Sequence, residues 1–392
     1  MGVIFGGKSG EHEVSLMSAR SVMRAIDKGK YEVVPIGITH EGRWLASGDP
    51  LKALTGGQTS MPQLLESGYT LDPVPSRSPE RSEGAGEGAD APPGQAPPEH
   101  RELVPGAQAT GIPEVDVVFP VLHGTYGEDG TVQGLLELAD IPYVGAGVMA
   151  SAVAMDKAVM KDVLRSHGLP VVDGMVVKRS TWETDPAAVR AQVAKTIDYP
   201  CFVKPANLGS SVGVSKAHSA DEIDAAIDLA AQYDRKVLVE KCVAQAREIE
   251  VSVLGNDDPI ASAAGEIIPS REFYDYAAKY LDNASELLIP APLDAETAEQ
   301  IRRLAIDAYL AFDCAGMARV DFLLSGLTCE LFIGEVNTIP GFTAISMYPK
   351  LWEASGIPYP ELIDRLIELA LERHADKRRT RTTHPHDAER AE

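Results

Sequence analysis

The stretch MARVDFLLSGLTCELFIGEVNTIPGFT, residues 317–343, constrains this chain more than any other. Two strand-like runs, 316–324 and 330–336, flank a short turn containing Gly326. Side chains alternate across a strand, so Arg319 and Asp321 share a face, and so do Glu335 and Asn337. Paired as a hairpin, that face gathers two carboxylates, an amide oxygen and a guanidinium. Ala318, Val320, Phe322 and Val336 take the opposite face, which suits burial. Hard oxygen donors beside a fixed cation suit Mg²⁺ carrying nucleotide phosphates. A surface hairpin with a salt bridge accounts for the same residues, so the remainder of the chain has to decide.

A length of 392 residues predicts two or three domains with a sizeable core. With 44% hydrophobic and 24% charged residues, the composition is that of an ordinary globular protein. A formal net charge of −22 argues against nucleic acid or an anionic membrane as the main partner. Small anionic ligands need only a local cationic pocket and stay open. Cys201, Cys242, Cys314 and Cys329 lack CxxC or CxxH spacing, so buried free thiols in a reducing compartment are expected. No run reaches the length of a membrane span and no basic leader precedes an apolar one, which predicts a cytoplasmic location. Met1 opens directly onto an apparent strand, so the first strand is short or the natural start lies upstream.

Strand 2–5, the loop GGKSG and a helix with Leu16, Ala19, Val22, Met23 and Ile26 at helical spacing form the first unit. Strand, glycine loop and helix is an arrangement that meets ligands with backbone N–H groups. The GxGxxG dinucleotide spacing is absent, and a plain tight turn is the alternative. Glu11 in this loop could hold an ammonium group or be a solvated carboxylate. A second strand spans 33–38, with an excursion at 42–45. Residues 73–105 shift to Pro, Gly, Glu, Ser and Arg and read as a disordered insertion without a function of its own. Strand 115–119 leads into HGTYGEDG (123–130), a loop dense in polar groups where a parallel sheet usually binds ligands. His123 by itself is equally a loop histidine satisfied by backbone. A helix at 131–139 and a short strand at 143–144 close an α/β unit near residue 145.

Beyond it, one helix is expected over 150–166, containing Met155-Asp156-Lys157, followed by an extended stretch at 169–177 and a helix at 186–196. Strand 199–205 carries Lys204 in an apolar setting, where a lysine is costly unless paired with an anion. The loop that follows, NLGSSVGV, has the small residues, hydroxyls and exposed amides to fold over phosphate oxygens. Helix 219–231 and strand 236–240 end the second unit. Glu240, Lys241 and Val243 then form a hinge-like segment with two hydrogen-bonding groups and an apolar wall, suited to adenine. Glu248 heads strand 249–254, and 262–267 pairs with it. Residues 273–280, FYDYAAKY, form an aromatic loop with one lysine, a surface loop unless context says otherwise. Helix 295–310, the hairpin and an amphipathic helix at 360–373 complete the fold, with a disordered tail after His374.

Taken in order, GGKSGEHEVS, LHGTYGEDG, MDK, VKPANLGSSVG, FYDYAAKY, ARVDF and EVNTIPGFT closely resemble the D-alanine–D-alanine ligase family of ATP-grasp enzymes. The resemblance covers the chain apart from the Pro/Gly-rich insertion and the C-terminal tail. It implies an α/β and α+β multidomain fold, with an N-terminal Rossmann-like α/β domain (1–145) before a two-subdomain ATP-grasp fold. The central subdomain would span 146–239 and the C-terminal subdomain, with the metal and catalytic residues, 240–373; the tail is 374–392.

By the same resemblance, Lys157 and Lys204 would bind ATP phosphates under the 209–213 loop, with Ser210 and Ser211 as donors. Glu240, Lys241 and Glu248 would hold adenine and ribose, with Val243 and Phe273 as apolar contacts. The Glu240-to-Glu248 stretch is about a residue longer than in some relatives, which leaves the adenine wall open. Lys279 would approach the terminal phosphates. Asp321, Glu335 and Asn337 would bind two Mg²⁺ ions, or Mn²⁺ in their place, with Glu335 bridging. Arg319 and the Gly341 N–H would stabilise an oxyanion. Glu11 would hold the first substrate's ammonium beside His123, and Ser346 with the backbone near Met347 would receive the second carboxylate. Glu11, Ser210 and Tyr280 would form a hydrogen-bonded set that closes the tyrosine loop and excludes water. The implied activity is ATP-dependent ligation of two D-alanines through a D-alanyl phosphate, for peptidoglycan precursors, by a homodimer.

The alternatives are a D-alanine–D-lactate or D-serine ligase and a catalytically silent ATP-binding paralogue. Lys279-Tyr280 favours an amine over a hydroxyl acceptor, and a silent paralogue would be expected to lack a metal ligand or Arg319, whereas all are present. A Rossmann dehydrogenase fails for want of GxGxxG followed by an acidic residue.

Overall fold

The computed structural model describes residues 1–56, 114–268, 286–343 and 345–381. The 73–105 insertion, the aromatic loop with Phe273, Lys279 and Tyr280, and residues 382–392 lie outside the described residues.

Among the described residues, three sheets organise the chain. In the first, β1 (Gly2–Gly6) pairs in parallel with β2 (Val34–Ile38) and β4 (Val118–Pro120), and β3 (Trp44–Leu45) runs antiparallel at the edge. Val3, Ile4 and Phe5 are all buried, as a parallel strand covered on both faces requires. The second sheet has order β5-β8-β6-β7 and is antiparallel: β5 (Gly174–Lys178), β6 (Cys201–Pro205), β7 (Ser215–Ala217) and β8 (Lys236–Lys241). Helices Pro186–Thr196 and Ile223–Tyr233 bury Val189, Val193, Ile223 and Ile227 against it.

The third sheet is antiparallel too. It comprises β9 (Ala246–Gly255), β10 (Ile260–Ala261), β11 (Gly265–Ile268), β12 (Glu286–Leu288), β13 (Gly316–Ser325) and β14 (Leu331–Asn337). Its order is β12-β11-β9-β13-β14, with β10 on β9. Helix Ala295–Ala311 packs Ile301, Ala305 and Ala308 on the face carrying Ala318, Val320 and Phe322. The expected hairpin is therefore present, and β9 adds a third strand beside β13.

The two ends of the chain share one core. Val3, Phe5, Leu16 and Val22 pack with Phe342, Tyr348, Trp352, Leu362, Ile363 and Leu366. Burying an aromatic or leucine side chain is worth about 1.5–3 kcal/mol, so this contact anchors the turn after β14 against the loop after β1. That anchoring is what allows a site to form between distant segments.

Several expectations need correction. The helix expected over 150–166 is two helices, Val148–Met155 and Lys157–Ser166. Asp156 breaks the run: its backbone is extended and its side chain accepts hydrogen bonds from the Ala158 and Val159 N–H groups. Such a cap contributes about 1 kcal/mol, and it starts the second helix at Lys157. Tyr143 makes only an isolated bridge to Val118 rather than a strand. The closing helix runs Tyr359–Lys377, past the tail boundary, because Lys377 pairs with Glu137 and His374 with Asp140. Cys201 and Cys314 are buried, and burial pushes the Cys201 thiol up to about 11, but Cys329 is exposed in the β13–β14 turn.

Candidate active site

Register builds the first wall of the site. Across β13–β14, Arg319 faces Asn337 and Asp321 faces Glu335; across β13–β9, Asp321 faces Glu250 and Leu323 faces Glu248. Directly opposed residues project to one face of a sheet, so all these polar groups share a side. The alternation breaks once: Asp321 pairs with Glu335 but Phe322 pairs with Ile333, leaving Gly334 as the extra residue of a bulge. The bulge turns Ile333 into the core while Glu335 stays on the polar face, and Ile333 is fully buried.

Arg319 is a half-buried guanidinium between two carboxylates. Its Nε and Nη2 donate to Asp321 at 2.7 and 2.6 Å, and Nε lies 3.0 Å from Glu250. Burial disfavours its charge, but Asp321 and Glu250 outweigh that and hold its pKa well above the ordinary value. Lys157, placed by the Asp156 cap, donates to the Leu208 carbonyl at 2.8 Å and to Glu335 at 3.0 Å. Desolvation opposes its charge too, and Glu335, Glu128 and Glu11 together raise its pKa.

Asn337 Oδ1 is buried and accepts no hydrogen bond among the described residues. An idle carbonyl oxygen beside two carboxylates fits a hard divalent cation, which takes oxygen ligands. Among the described residues no three of His, Cys, Asp and Glu converge on a point. The donor set is two carboxylates and an amide, and Lys157 and Arg319 occupy the carboxylates as internal counterions.

Loops of the other two sheets build the opposite wall. Glu11 follows the β1 loop and its Oε1 accepts a hydrogen bond from Ser210 Oγ. A Cβ on Gly124 would lie 2.7 Å from Glu11 Oε2, and one on Gly209 2.6 Å from it, so the carboxylate is nested between two glycines. Ser210 and Ser211 both have positive φ, 51° and 57°, a region non-glycine residues seldom adopt.

His123 ties the walls together. Its Nδ1 lies 3.1 Å from the Ile339 carbonyl, so that nitrogen donates, and its Nε2 lies 3.0 Å from Ser18 Oγ. The Phe342 N–H donates to the same Ser18 hydroxyl at 3.2 Å. Glu128 accepts from the Gly124 N–H at 3.0 Å and lies 3.7 Å from His123 Nδ1. Burial opposes a charged His123, but Glu128, Glu11 and the Ile339 carbonyl raise its pKa. The pKa of Glu128 is also raised, chiefly by burial and also by Glu11.

Between the walls lies a cavity of about 610 Å³. Glu11, His123, Ser210, Arg319, Glu335, Asn337, Gly341, Ser346 and Met347 all line it, joined by Glu128 and Glu250. Ser346 precedes helix Met347–Ala354, yet its hydroxyl meets Thr343 at 2.8 Å instead of capping the helix.

The remaining sequence-derived residues gather elsewhere. Lys204 of β6 contacts Glu240 of β8, and Lys161 reaches the same carboxylate at 3.0 Å. Burial works against ionised Glu240, and the two lysines hold its pKa below the usual range. Lys241 pairs with Asp173 at 2.9 Å on the surface. Val243, on the segment joining β8 to β9, and Glu248, within β9, are half-buried. Lys157, one helical turn before Lys161, bonds to Glu335 of the hairpin. Phe273, Lys279 and Tyr280 lie outside the described residues.

Three residues escaped the sequence reading. Glu250 is two positions after Glu248 on the same strand face, which alternation alone could have signalled. Lys161 is one helical turn after Lys157. Glu128 sits in HGTYGEDG, whose acids contribute to the polar density of the loop without singling out Glu128.

Comparison with known proteins converges on one answer. The family model for the D-ala D-ala ligase N-terminus matches residues 1–146, and that for the C-terminus matches 163–368. A D-alanine–D-alanine ligase of Thermoanaerobacter sp. strain X514 is 52% identical over 378 residues, covering 96% of this chain and 97% of the relative. The ligase of Natranaerobius thermophilus is 46% identical over 382 residues, 97% of each chain. The solved D-alanine–D-alanine ligase from Coxiella burnetii has a TM-score of 0.73 at 37% identity, over 96% of this chain and 95% of that one. The VanG D-Ala:D-Ser ligase from Enterococcus faecalis also gives 0.73, at 35% identity, over 94% and 98%. With near-full coverage by sequence and fold, this chain belongs to the D-alanine–D-alanine ligase family.

Proposed function

We propose that the protein joins two D-alanine molecules into D-alanyl-D-alanine at the expense of ATP, for peptidoglycan precursor synthesis. The observation that carries the reading is the β9–β13–β14 register. It sets Arg319, Glu335 and Asn337 on one wall of a cavity whose other wall holds Glu11 and Ser210, with Asp321 on the same sheet face beside them.

A carboxylate is a poor acyl donor, so the first D-alanine is activated by attack of its carboxylate on the γ-phosphorus of ATP, which breaks the bond to the β,γ-bridging oxygen and releases ADP. Glu11 holds its ammonium, and His123, fixed from both ring nitrogens, shapes the pocket beside it. The acyl phosphate then receives the amine of the second D-alanine, and the tetrahedral species collapses to dipeptide and phosphate. Arg319 and the Gly341 N–H stabilise its oxyanion, an effect of about 3–4 kcal/mol per donor in comparable sites. Ser346 and the open N-terminus of the following helix receive the second carboxylate.

Lys157 and Lys204 bind phosphate oxygens, and Ser210 and Ser211 close the loop over them. Glu240, Lys241, Val243, Glu248 and Phe273 surround the adenosine, and Lys279 approaches the terminal phosphate. Asp321, Glu335 and Asn337 would hold two Mg²⁺, or Mn²⁺, which neutralise phosphoryl charge when bound. Tyr280 completes the set with Glu11 and Ser210, and the Ser210–Glu11 bond supports that closure.

The same reading divides the chain near residues 145 and 239, in keeping with three separate sheets, and makes it a cytoplasmic homodimer. Among the described residues no helix is long and apolar enough to cross a membrane. Light scattering in solution tests the dimer.

The deciding assay is phosphate release from ATP and Mg²⁺ with D-alanine, L-alanine, D-serine or D-lactate. Release that depends on D-alanine, with D-alanyl-D-alanine as product, is expected. A chain that releases no phosphate with D-alanine is not this ligase.

A further inference from the structure

Glu240, one residue before the end of β8, has its carboxylate buried between two lysines. Lys204 takes Oε1 and Lys161 takes Oε2, and the side chains of Lys161 and Glu240 are each 4% exposed. Two cations for one anion leave this buried spot with an excess positive charge. Uncompensated charge away from water is costly, and burial together with Lys204 pulls the Lys161 pKa down. The cluster therefore has room for one more negative group.

The 3.0 Å contact between Lys161 and Glu240 also lacks hydrogen-bond alignment: neither Lys161 Nζ nor Glu240 Oε2 makes a hydrogen bond among the described residues. Lys204 is the more accessible lysine, 18% exposed at its side chain, so it is the one free to turn toward a ligand. Lys161 is locked into the interior by the helix that starts at Lys157.

We propose that Lys161 is a positioning residue that keeps Glu240 neutralised and in place while Lys204 exchanges Glu240 for the nucleotide phosphates. The proposal rests on the reading above, in which Lys204 binds phosphate and Glu240 faces the adenine. Before binding, one carboxylate serves two lysines; after binding, Lys204 pairs with phosphate and Lys161 with Glu240, and both charges balance. Without Lys161, Lys204 is the only counterion of a buried carboxylate, and phosphate has to pull it away. Adenosine has no phosphate and makes no such demand.

The test titrates the full-length chain with Mg-ADP by calorimetry and with adenosine by competition against a fluorescent ADP analogue. Lys161→Met is expected to weaken ADP by about tenfold or more and leave adenosine within about threefold. Adding Glu240→Gln removes the charge that holds Lys204, so the double variant is expected to bind ADP like Glu240→Gln alone. Equal weakening of adenosine and ADP would mark a merely structural lysine and overturn the proposal. Unchanged ADP binding, or a double variant no better than Lys161→Met, would overturn it as well. If Lys161→Met does not fold, Lys161→Arg decides: it keeps the charge and should bind ADP within about threefold of the parent, and a loss of about tenfold overturns the idea. A parent chain that binds no ADP sinks the nucleotide reading itself, whereas normal parent binding with an indifferent Lys161→Met sinks only this inference.

Discussion

The hairpin wall and the Glu11 corner face each other across one cavity but are built in opposite ways. Arg319, Asp321, Glu335 and Asn337 come from two adjacent strands, and their common face follows from pairing register. The corner takes Glu11 from one loop, Gly124 from a second, and Gly209 and Ser210 from a third on another sheet. A register fails only when the sheet fails, so the hairpin is robust in geometry and sensitive in charge. A three-loop junction holds by steric fit, so it is sensitive to a single methyl group. Each substitution below separates those two kinds of dependence.

The largest effect is expected from Arg319→Ala. Removing the guanidinium eliminates an oxyanion donor and takes the cation away from half-buried Asp321 and buried Glu250. A kcat loss of about 10³-fold and a stability loss of about 3–5 kcal/mol should appear in steady-state kinetics and denaturant unfolding. An active, fully stable Arg319→Ala would break the view of the hairpin as the charge-sensitive wall.

Gly209→Ala tests the corner. Its Cβ would come within 2.6 Å of Glu11 Oε2, the movable end of a flexible side chain. Glu11 can therefore swing aside at little cost to folding, but it leaves the ammonium position. The KM for the first D-alanine should rise by about tenfold or more, roughly the 1.4 kcal/mol of a weakened charge-assisted contact, with little change in melting temperature. If stability falls while KM holds, the corner is structural rather than substrate-binding.

Glu250→Gln should be milder, because Asp321 keeps its two-pronged grip on Arg319. A kcat decrease of about tenfold, or 1.4 kcal/mol, with unchanged KM for either substrate is expected. A loss as large as that of Arg319→Ala would make Glu250 the dominant partner instead.

The smallest effect concerns pH. The His123 pKa is raised above 6.5 in the fold, so protonated His123 adds stability that is complete below that value and fades as pH rises through the folded one. The Glu128 pKa is raised above 4.5, so its ionisation costs the folded state as pH climbs past that point. Both act in the same direction. Glu128→Gln removes the second and weakens the first, which Glu11 and the Ile339 carbonyl also support, so its stability should decline less than the parent's between pH 5 and 9, by on the order of 1 kcal/mol. Denaturant midpoints across that range measure it; parallel profiles would remove the pair from the pH response.

Much of this molecule was legible in order of residues. Strand alternation placed Arg319 with Asp321 and Glu335 with Asn337, because period two is a local property of an extended chain. Lys204 announced a counterion, since a lysine inside an apolar strand needs one, but its sequence did not say that Glu240 would supply it. Helical periodicity continues through Asp156 and predicts one helix over 150–166, whereas the Asp156 carboxylate, capping the Ala158 and Val159 N–H groups, divides it. The Gly334 bulge was equally hidden, as a register shift is settled between strands and not within one.

Residue order carries the strands of the hairpin, their apolar and polar faces, and the chemical types the site can offer. Tertiary structure alone decided which groups meet: Glu11 with Ser210, Lys157 with Glu335, Arg319 with Glu250, and one carboxylate with both Lys161 and Lys204. The physical reason is range. Backbone geometry fixes which way neighbouring side chains point, but charges distant in sequence find each other only after a shared core, here Val3 and Phe5 against Phe342 and Leu362, has brought their loops together.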